Sequence, residues 1–277
     1  MLLTIAHRTT YRYDAPPPYG VMRLRVCPRS LGPQRVLDWQ IDIEGADRQV
    51  SYRDHMGNEV WLISTTGASD RIDVTARGRV ETRETHGVFG PHRSLAPLWL
   101  FTRQTRLTAP GDGVARLIQG MADETGRPPA DRGARAGGLP LAHRLMERVA
   151  QAVAYDTDDT HPATTAEEAL ARGTGVCQDH SHIMIAAARQ LGIPARYVSG
   201  YLRLDDREDQ TATHAWAELH LDGLGWVGFD ASNRISPDER YVRIASGLDY
   251  DDAAPMGGVR YGSAAESLDV HLSIGEQ

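Results

Sequence analysis

Cys177 is one of only two cysteines in the 277-residue chain, and it stands where the turn "RGTGV" runs into "CQDHSHIMIAAARQLG". At the first turn of a helix a thiol faces unpaired backbone N–H groups and the positive end of the dipole, which favour thiolate over thiol. The same N–H groups can hold an oxyanion formed beside the sulfur. A nucleophilic thiol also needs an imidazole to exchange its proton and a third group to orient that imidazole, both brought from elsewhere by the fold. His214 opens the segment "HAWAELHL" and Asp230 ends "GWVGFD". In a hairpin of these two strands, His214, Trp216, Glu218 and His220 share a face with Trp226, Gly228 and Asp230 when the turn holds an odd number of residues. We expect an odd turn that sets His214 directly opposite Asp230. A two-residue turn at 222 and 223 would carry Asp230 to the wrong side.

Gln178, Asp179, His180 and His182 follow the cysteine and raise a metal reading. On a helix Cys177 and His180 share a face while His182 points elsewhere, and no second Cys/His cluster has zinc-type spacing. No metal and no cofactor is therefore expected. Asp179 and His180 read as cleft-lining or bonded to neighbouring strands, and Gln178 as a side chain able to contact substrate. Trp216 is placed as a wall of the site, with core packing as its default. The acidic "DTDDT" at 156–160 lacks an EF-hand pattern and reads as a turn. Cys27, on a strand, reads as a small buried hydrophobe.

These side chains must be positioned by two kinds of segment. Residues 1–105 read as an N-terminal β domain: "LTIAHRTTYRY", "MRLRVCP", "LDWQIDIE", "EVWLIST" and "RIDVTARGRVET" are short segments rich in Val, Ile, Thr and aromatics. Turn material such as "DAPPPYG" and "HMGNE" separates them, which predicts an antiparallel, sandwich-like domain. Residues 106–277 form the second domain. There the spacing of Leu117, Ile118 and Met121 predicts a helix. Leu141, Leu145, Val149 and Val153 predict another, opened by Pro140. Thr165 with Glu168 forms a capping box for a short helix that Gly173 ends. The Cys177 helix is apolar on every side along "IMIAAA" and should be buried, ending at Gly192 before Pro194. Residues 125–138 read as an exposed loop, and "DDREDQ" as a solvated hairpin tip between strands. The fold class expected is α+β.

Hydrophobic residues at 41% and charged residues at 24% are the profile of a soluble globular protein. The net charge of −7 carries no basic stripe, so a nucleic-acid partner is not expected. The N-terminus lacks a signal-peptide pattern, and no run is long enough to span a bilayer. Two thiols with no shared spacing suit a reducing compartment, so the protein is expected to be cytoplasmic, without a membrane partner.

The stretches "GTGVCQDHSHIMIAAARQLGIPARYVSGYL" and "HAWAELHLDGLGWVGFDASN" resemble the transglutaminase-like core, a branch of the papain-type thiol enzymes. The resemblance is dense from 139 to 272, and the β-rich start is similar to the N-terminal domain of bacterial members. It implies a papain-like core, a helix bearing the cysteine on an antiparallel sheet, with Cys177, His214 and Asp230 as a catalytic triad. It implies acyl transfer on an amide, peptide or isopeptide bond through a thioester, with hydrolysis favoured over amine transfer. Members of the family support the oxyanion with a tryptophan before the cysteine. No tryptophan stands there in this chain, and Tyr155 is the residue that offers a donor. A true transglutaminase, a peptide-binding module without catalysis and a metal-dependent hydrolase are the alternatives. Oligomeric state and substrate identity are not encoded in these patterns.

Overall fold

The computed structural model describes residues 1–65, 67–121, 138–157, 161–262 and 265–277. Most of the 125–138 loop and the end of the 156–160 acidic turn lie outside the described residues.

The chain begins with six strands, β1 (Leu2–Tyr13), β2 (Tyr19–Cys27), β3 (Gln34–Glu44), β4 (Asp47–Arg53), β5 (Glu59–Thr65) and β6 (Arg71–Thr82). A short β7 (Val88–Gly90) and a 3₁₀ turn (Leu98–Thr102) lead to α1 (Asp112–Leu117) and α2 (Leu139–Ala152). Then come β8 (Ala154–Tyr155), α3 (Ala166–Arg172), β9 (Thr174–Gly175) and α4 (Cys177–Gln190). The remainder is β10 (Ala195–Leu202), β11 (Asp209–Gln210), β12 (His214–Leu221), β13 (Gly225–Phe229), β14 (Tyr241–Gly247), α5 (Tyr250–Ala253), β15 (Met256–Tyr261) and β16 (Glu266–Glu276). The class is α+β, with antiparallel pairing throughout the larger sheets.

Two sheets, β11-β16-β1-β6-β3 and β15-β2-β5-β4, form a sandwich. Alternation drives it: Tyr11, Ile72 and Val74 from one sheet meet Met22, Leu24, Val26 and Ile63 from the other in one buried cluster. The partition at residue 105 is crossed in both directions. The end of the chain supplies β15 and β16, which pair with β2 and β1, while β7 pairs with β13. Asp209 and Gln210, expected in a solvated tip, pair with Ser273 and Leu272 of β16. Strand β4 was not evident from composition because it is an outer strand with mostly exposed residues and no apolar face.

A third sheet, β14-β10-β12-β13-β7, carries the site. Ala215, Ala217, Leu219 and Leu221 of β12 face α4, and their cluster includes α2 and α3 residues such as Leu145, Val149 and Ala169. Helix α4 is buried on all sides, from Asp179 through Arg189. Its polar residues therefore need partners. Ser181 Oγ donates to the Cys177 carbonyl at 2.7 Å, and the Arg189 guanidinium donates to the carbonyls of Phe101, Ala195 and Leu248. The predicted caps of α3 are present: Thr165 and Glu168 make the reciprocal box, and Gly173 ends the helix at φ 72°.

The other face and the outer edge of this sheet meet the sandwich. Tyr201, Val242 and Ile244 pack with Leu3, Ile5, Val80, Leu272 and Ile274. Strand β14 has a free backbone edge, which two side-chain amides cover. Gln34 Nε2 donates to the Arg243 carbonyl at 2.9 Å while its Oε1 accepts from Arg243 N at 2.9 Å. Asn58 does the same at Ser246, at 2.8 and 2.9 Å. Each amide stands in for a missing strand, which keeps the edge from pairing elsewhere. Replacing Gln34 or Asn58 by Ala strands two buried backbone groups, so each substitution should lower unfolding free energy by about 1–3 kcal/mol in urea titration.

Candidate active site

Helix α4 starts abruptly because the residues before it are held in short strands. Ala154 and Tyr155 pair in parallel with Thr174 and Gly175, and Asp156 N donates to the Gly175 carbonyl at 2.9 Å. The Asp179 carboxylate turns back to accept from Val176 N at 2.9 Å, placing negative charge at the helix start. A Cβ at Gly175 would lie 2.8 Å from Asp179, so only glycine allows this close approach. The first intrahelical bond runs from His180 N to the Val176 carbonyl at 3.0 Å. The N–H groups of Cys177 and Gln178 precede it in the first turn, where a helix offers no intrahelical acceptor.

The β12–β13 turn is three residues long, 222–224, and pairs Ala217 with Phe229 and Leu221 with Gly225. Parity is therefore odd-turn, as expected, and His214 and Asp230 share a face. The expected direct opposition is not met: the register is displaced by two residues and continues to Trp216 opposite Asp230, so Asp230 lies diagonal to His214 just beyond the last pair. The diagonal suits a long imidazole: His214 Nε2 donates to Asp230 Oδ2 at 2.6 Å.

Asp230 is 1% exposed, and its charge is met by donors on both oxygens. Oδ1 accepts from Ser232 N at 3.0 Å and Asn233 N at 3.2 Å. Oδ2 accepts from His214, from Asn233 Nδ2 at 2.7 Å and from the Tyr241 hydroxyl at 2.8 Å. Burial alone would raise the pKa of this carboxyl; the bond and charge of His214, then Asn233 and Tyr241, pull it below the ordinary value. Burial would likewise lower the pKa of His214. That is the largest single effect, yet the charge of Cys177, the bonds to Asp230 and to the sulfur, and the charge of Asp230 together outweigh it, and the imidazole is raised to about 10. The Cys177 sulfur thus lies close enough to the ring to act both as charge and as hydrogen-bond partner, and it is itself buried at 9% exposure.

The remaining sequence candidates are placed as follows. Tyr155 is exposed, with its ring stacked 6.4 Å from His180, and its pKa is raised by burial and then by the charges of Cys177 and Asp230. Trp216 is buried, stacked at 6.4 Å on His214 and packed with Val198 and Leu202. Gln178 Nε2 donates to the Pro162 carbonyl at 3.0 Å, a bond that holds the segment before α3. The ring nitrogens of His180 stand 2.9 Å from the Val176 carbonyl and 3.0 Å from that of Val153. His182 Nε2 accepts from Tyr250 N at 3.2 Å. Glu218, on the site's face of β12, bonds Arg196 and Arg243 rather than His214. Asn233 and Tyr241 were not singled out from sequence. Asn233 had a faint local signal, three residues after an aspartate at a strand end. Tyr241 had none.

Residues 132–231 match the model of the transglutaminase-like superfamily, and residues 3–81 match that of the bacterial transglutaminase-like N-terminal region. An uncharacterised protein of Mycobacterium leprae is 28% identical over 286 residues, covering 98% of both chains. An uncharacterised Mycobacterium tuberculosis protein is 28% identical over 290 residues, covering 98% of this chain and 91% of its own. Among solved structures, a presumed cysteine protease from Cytophaga hutchinsonii superposes with a TM-score of 0.74 at 22% identity, over 99% of this chain and 90% of that one. That likeness is one of fold.

The two thiols should differ in reactivity. Burial pushes the Cys27 thiol up to about 11, leaving it protonated at neutral pH, whereas Cys177 adjoins an imidazole. Iodoacetamide below pH 8 should therefore modify Cys177 and spare Cys27, read by peptide mass mapping; equal labelling of both would remove the activated thiol.

Proposed function

The chain carries a transglutaminase-like core behind a bacterial transglutaminase-like N-terminal region, and from that premise we propose a cysteine-dependent acyl transferase acting on an amide, peptide or isopeptide bond. Cys177 is the nucleophile, His214 the proton carrier and Asp230 its orienter. The observation that carries this reading is His214 itself: one ring nitrogen donates to a buried carboxylate at 2.6 Å while the sulfur acts on the imidazole. A proton held on such a ring at neutral pH fits a thiolate–imidazolium pair.

In the first half-reaction the thiolate adds to the carbonyl carbon. The oxyanion that forms is met by the Cys177 N–H at the head of α4 and by the Tyr155 hydroxyl. The C–N bond then breaks, the amine leaves with the His214 proton, and a thioester remains. In the second half-reaction His214 takes a proton from water, the hydroxide adds, and the C–S bond breaks to release the carboxylic acid and the thiolate. An amine in place of water would give cross-linking by the same steps. Hydrolysis is the reading we favour, with a peptide or protein as substrate, because water needs no second binding site. Two unbridged thiols fit a reducing compartment, and we place the protein in the cytoplasm. Among the described residues no helix is long and apolar enough to cross a membrane.

Mass spectrometry of the intact chain after mixing with a peptide library should reveal an acyl adduct on Cys177 that C177A lacks. Carboxylic acid products that persist in the presence of primary amines are the expected outcome; products that all incorporate amine would make the enzyme a transglutaminase. Tyr155→Phe should lower turnover by about 10²–10³; undiminished turnover would remove Tyr155 from the oxyanion site.

The pH response has a definite sign. The His214 pKa lies above its ordinary 6.5, so the stability it contributes is complete below that value and fades as pH rises through about 10. Turnover should decline over the same upper range as the imidazolium loses its proton, measured as a pH–rate profile; a profile still rising at pH 11 would count against the ion pair.

A further inference from the structure

We propose that Tyr241 is a positioning residue of this site, its hydroxyl fixing the Asp230 carboxylate on His214 from a strand that the triad does not use. The inference rests on the acyl-transfer reading above. Tyr241 opens β14, which lies two places from β12 in the sheet, with β10 between them. Its backbone pairs with Leu202, while His214 pairs with Gly200 of the same β10 strand. The hydroxyl therefore spans a full strand to reach Asp230 Oδ2 at 2.8 Å. The ring is 6% exposed, meets Trp216 edge-on at 5.4 Å and tilts against His214 at 5.8 Å. One side chain thus touches both the imidazole and the carboxylate.

A carboxylate offers roughly four acceptor positions on its two oxygens. Asp230 receives five bonds: two from backbone N–H groups on Oδ1, and three on Oδ2 from His214, Asn233 and Tyr241. No acceptor position is left for water, so the two neutral side-chain donors decide how firmly the anion is held. Asn233 comes from the adjoining turn and moves with Asp230. Tyr241 comes from β14, so it ties the carboxylate to the sheet from the side of β12 opposite β13. Burial, followed by the Asp230 charge, raises the phenol's pKa, and the phenol stays a donor across the working range. The other titratable groups acting on this pair are His214 from β12, Tyr155 from β8, and Asp238 and Arg240 just before β14, with Cys177 acting through His214.

Removing the hydroxyl takes a bond from the charged form of Asp230, so the carboxyl protonates at higher pH. A neutral Asp230 no longer supports the imidazolium, and the imidazolium no longer supports the thiolate. The test uses the full chain in a C27A background and reads the rate of Cys177 alkylation by iodoacetamide against pH. Tyr241→Phe keeps the ring packing and should move the acid limb up by about 1 pH unit. Asn233→Ala should move it the same way, and 3-fluorotyrosine at position 241, a stronger donor, should move it down. An acid limb unmoved or lowered by Tyr241→Phe overturns the assignment and leaves the ring as packing. Should Tyr241→Phe fail to fold, a fluorotyrosine limb that stays in place or rises overturns it equally. A parent chain whose Cys177 alkylates no faster below pH 8 than a free thiol would instead overturn the acyl-transfer reading itself.

Discussion

A carboxylate that is 1% exposed and still charged constrains everything around it. Removing such a group from water costs several kcal/mol, and the cost is offset only when charge and donors converge on it with good geometry. Around Asp230 the donors come from three places: β12 through His214, the turn after β13 through Ser232 and Asn233, and β14 through Tyr241. Strand register therefore has a chemical consequence here. A slip of one residue between β12 and β13 would turn the acid to the other face of the sheet.

The placement of Cys177 follows from a second constraint, a helix buried on every side. Apolar residues along "IMIAAA" hold α4 between the sheet and the neighbouring helices, and Ser181 and Arg189 are tolerated because carbonyls receive their donors. Burial of the helix body makes its N-terminal end rigid. The short β8–β9 pair fixes the approach of the chain on one side, and Asp179 ties back to Val176 on the other. The sulfur is thus presented by fixed backbone rather than by a loop free to wander.

The sandwich is joined to this core rather than appended to it. Its sheets are finished by β15 and β16 from the end of the chain, and Gln34 and Asn58 seal the open edge of β14. That same strand begins with Tyr241. The N-terminal region and the site therefore meet in one strand.

Much of this was legible in the residues where the deciding forces are local. The box of Thr165 and Glu168, the stripe of Leu141, Leu145 and Val149, and the strands 59–65 and 71–82 follow from capping and side-chain period, which act over a few residues. Cys177 at a helix start and the shared face of His214 and Asp230 were readable for the same reason. Strand β4 lacks an apolar face, and β15 carries two glycines in "MGGVRY", so neither announces itself. The two-residue offset at the hairpin, the return of the chain's end to the first sheets, and the meeting of Tyr241 with Asp230 were decided only by tertiary structure. Periodicity states which way a side chain points, but hydrogen-bond register and sheet order state what it meets, and those are settled by contacts between segments far apart in the chain.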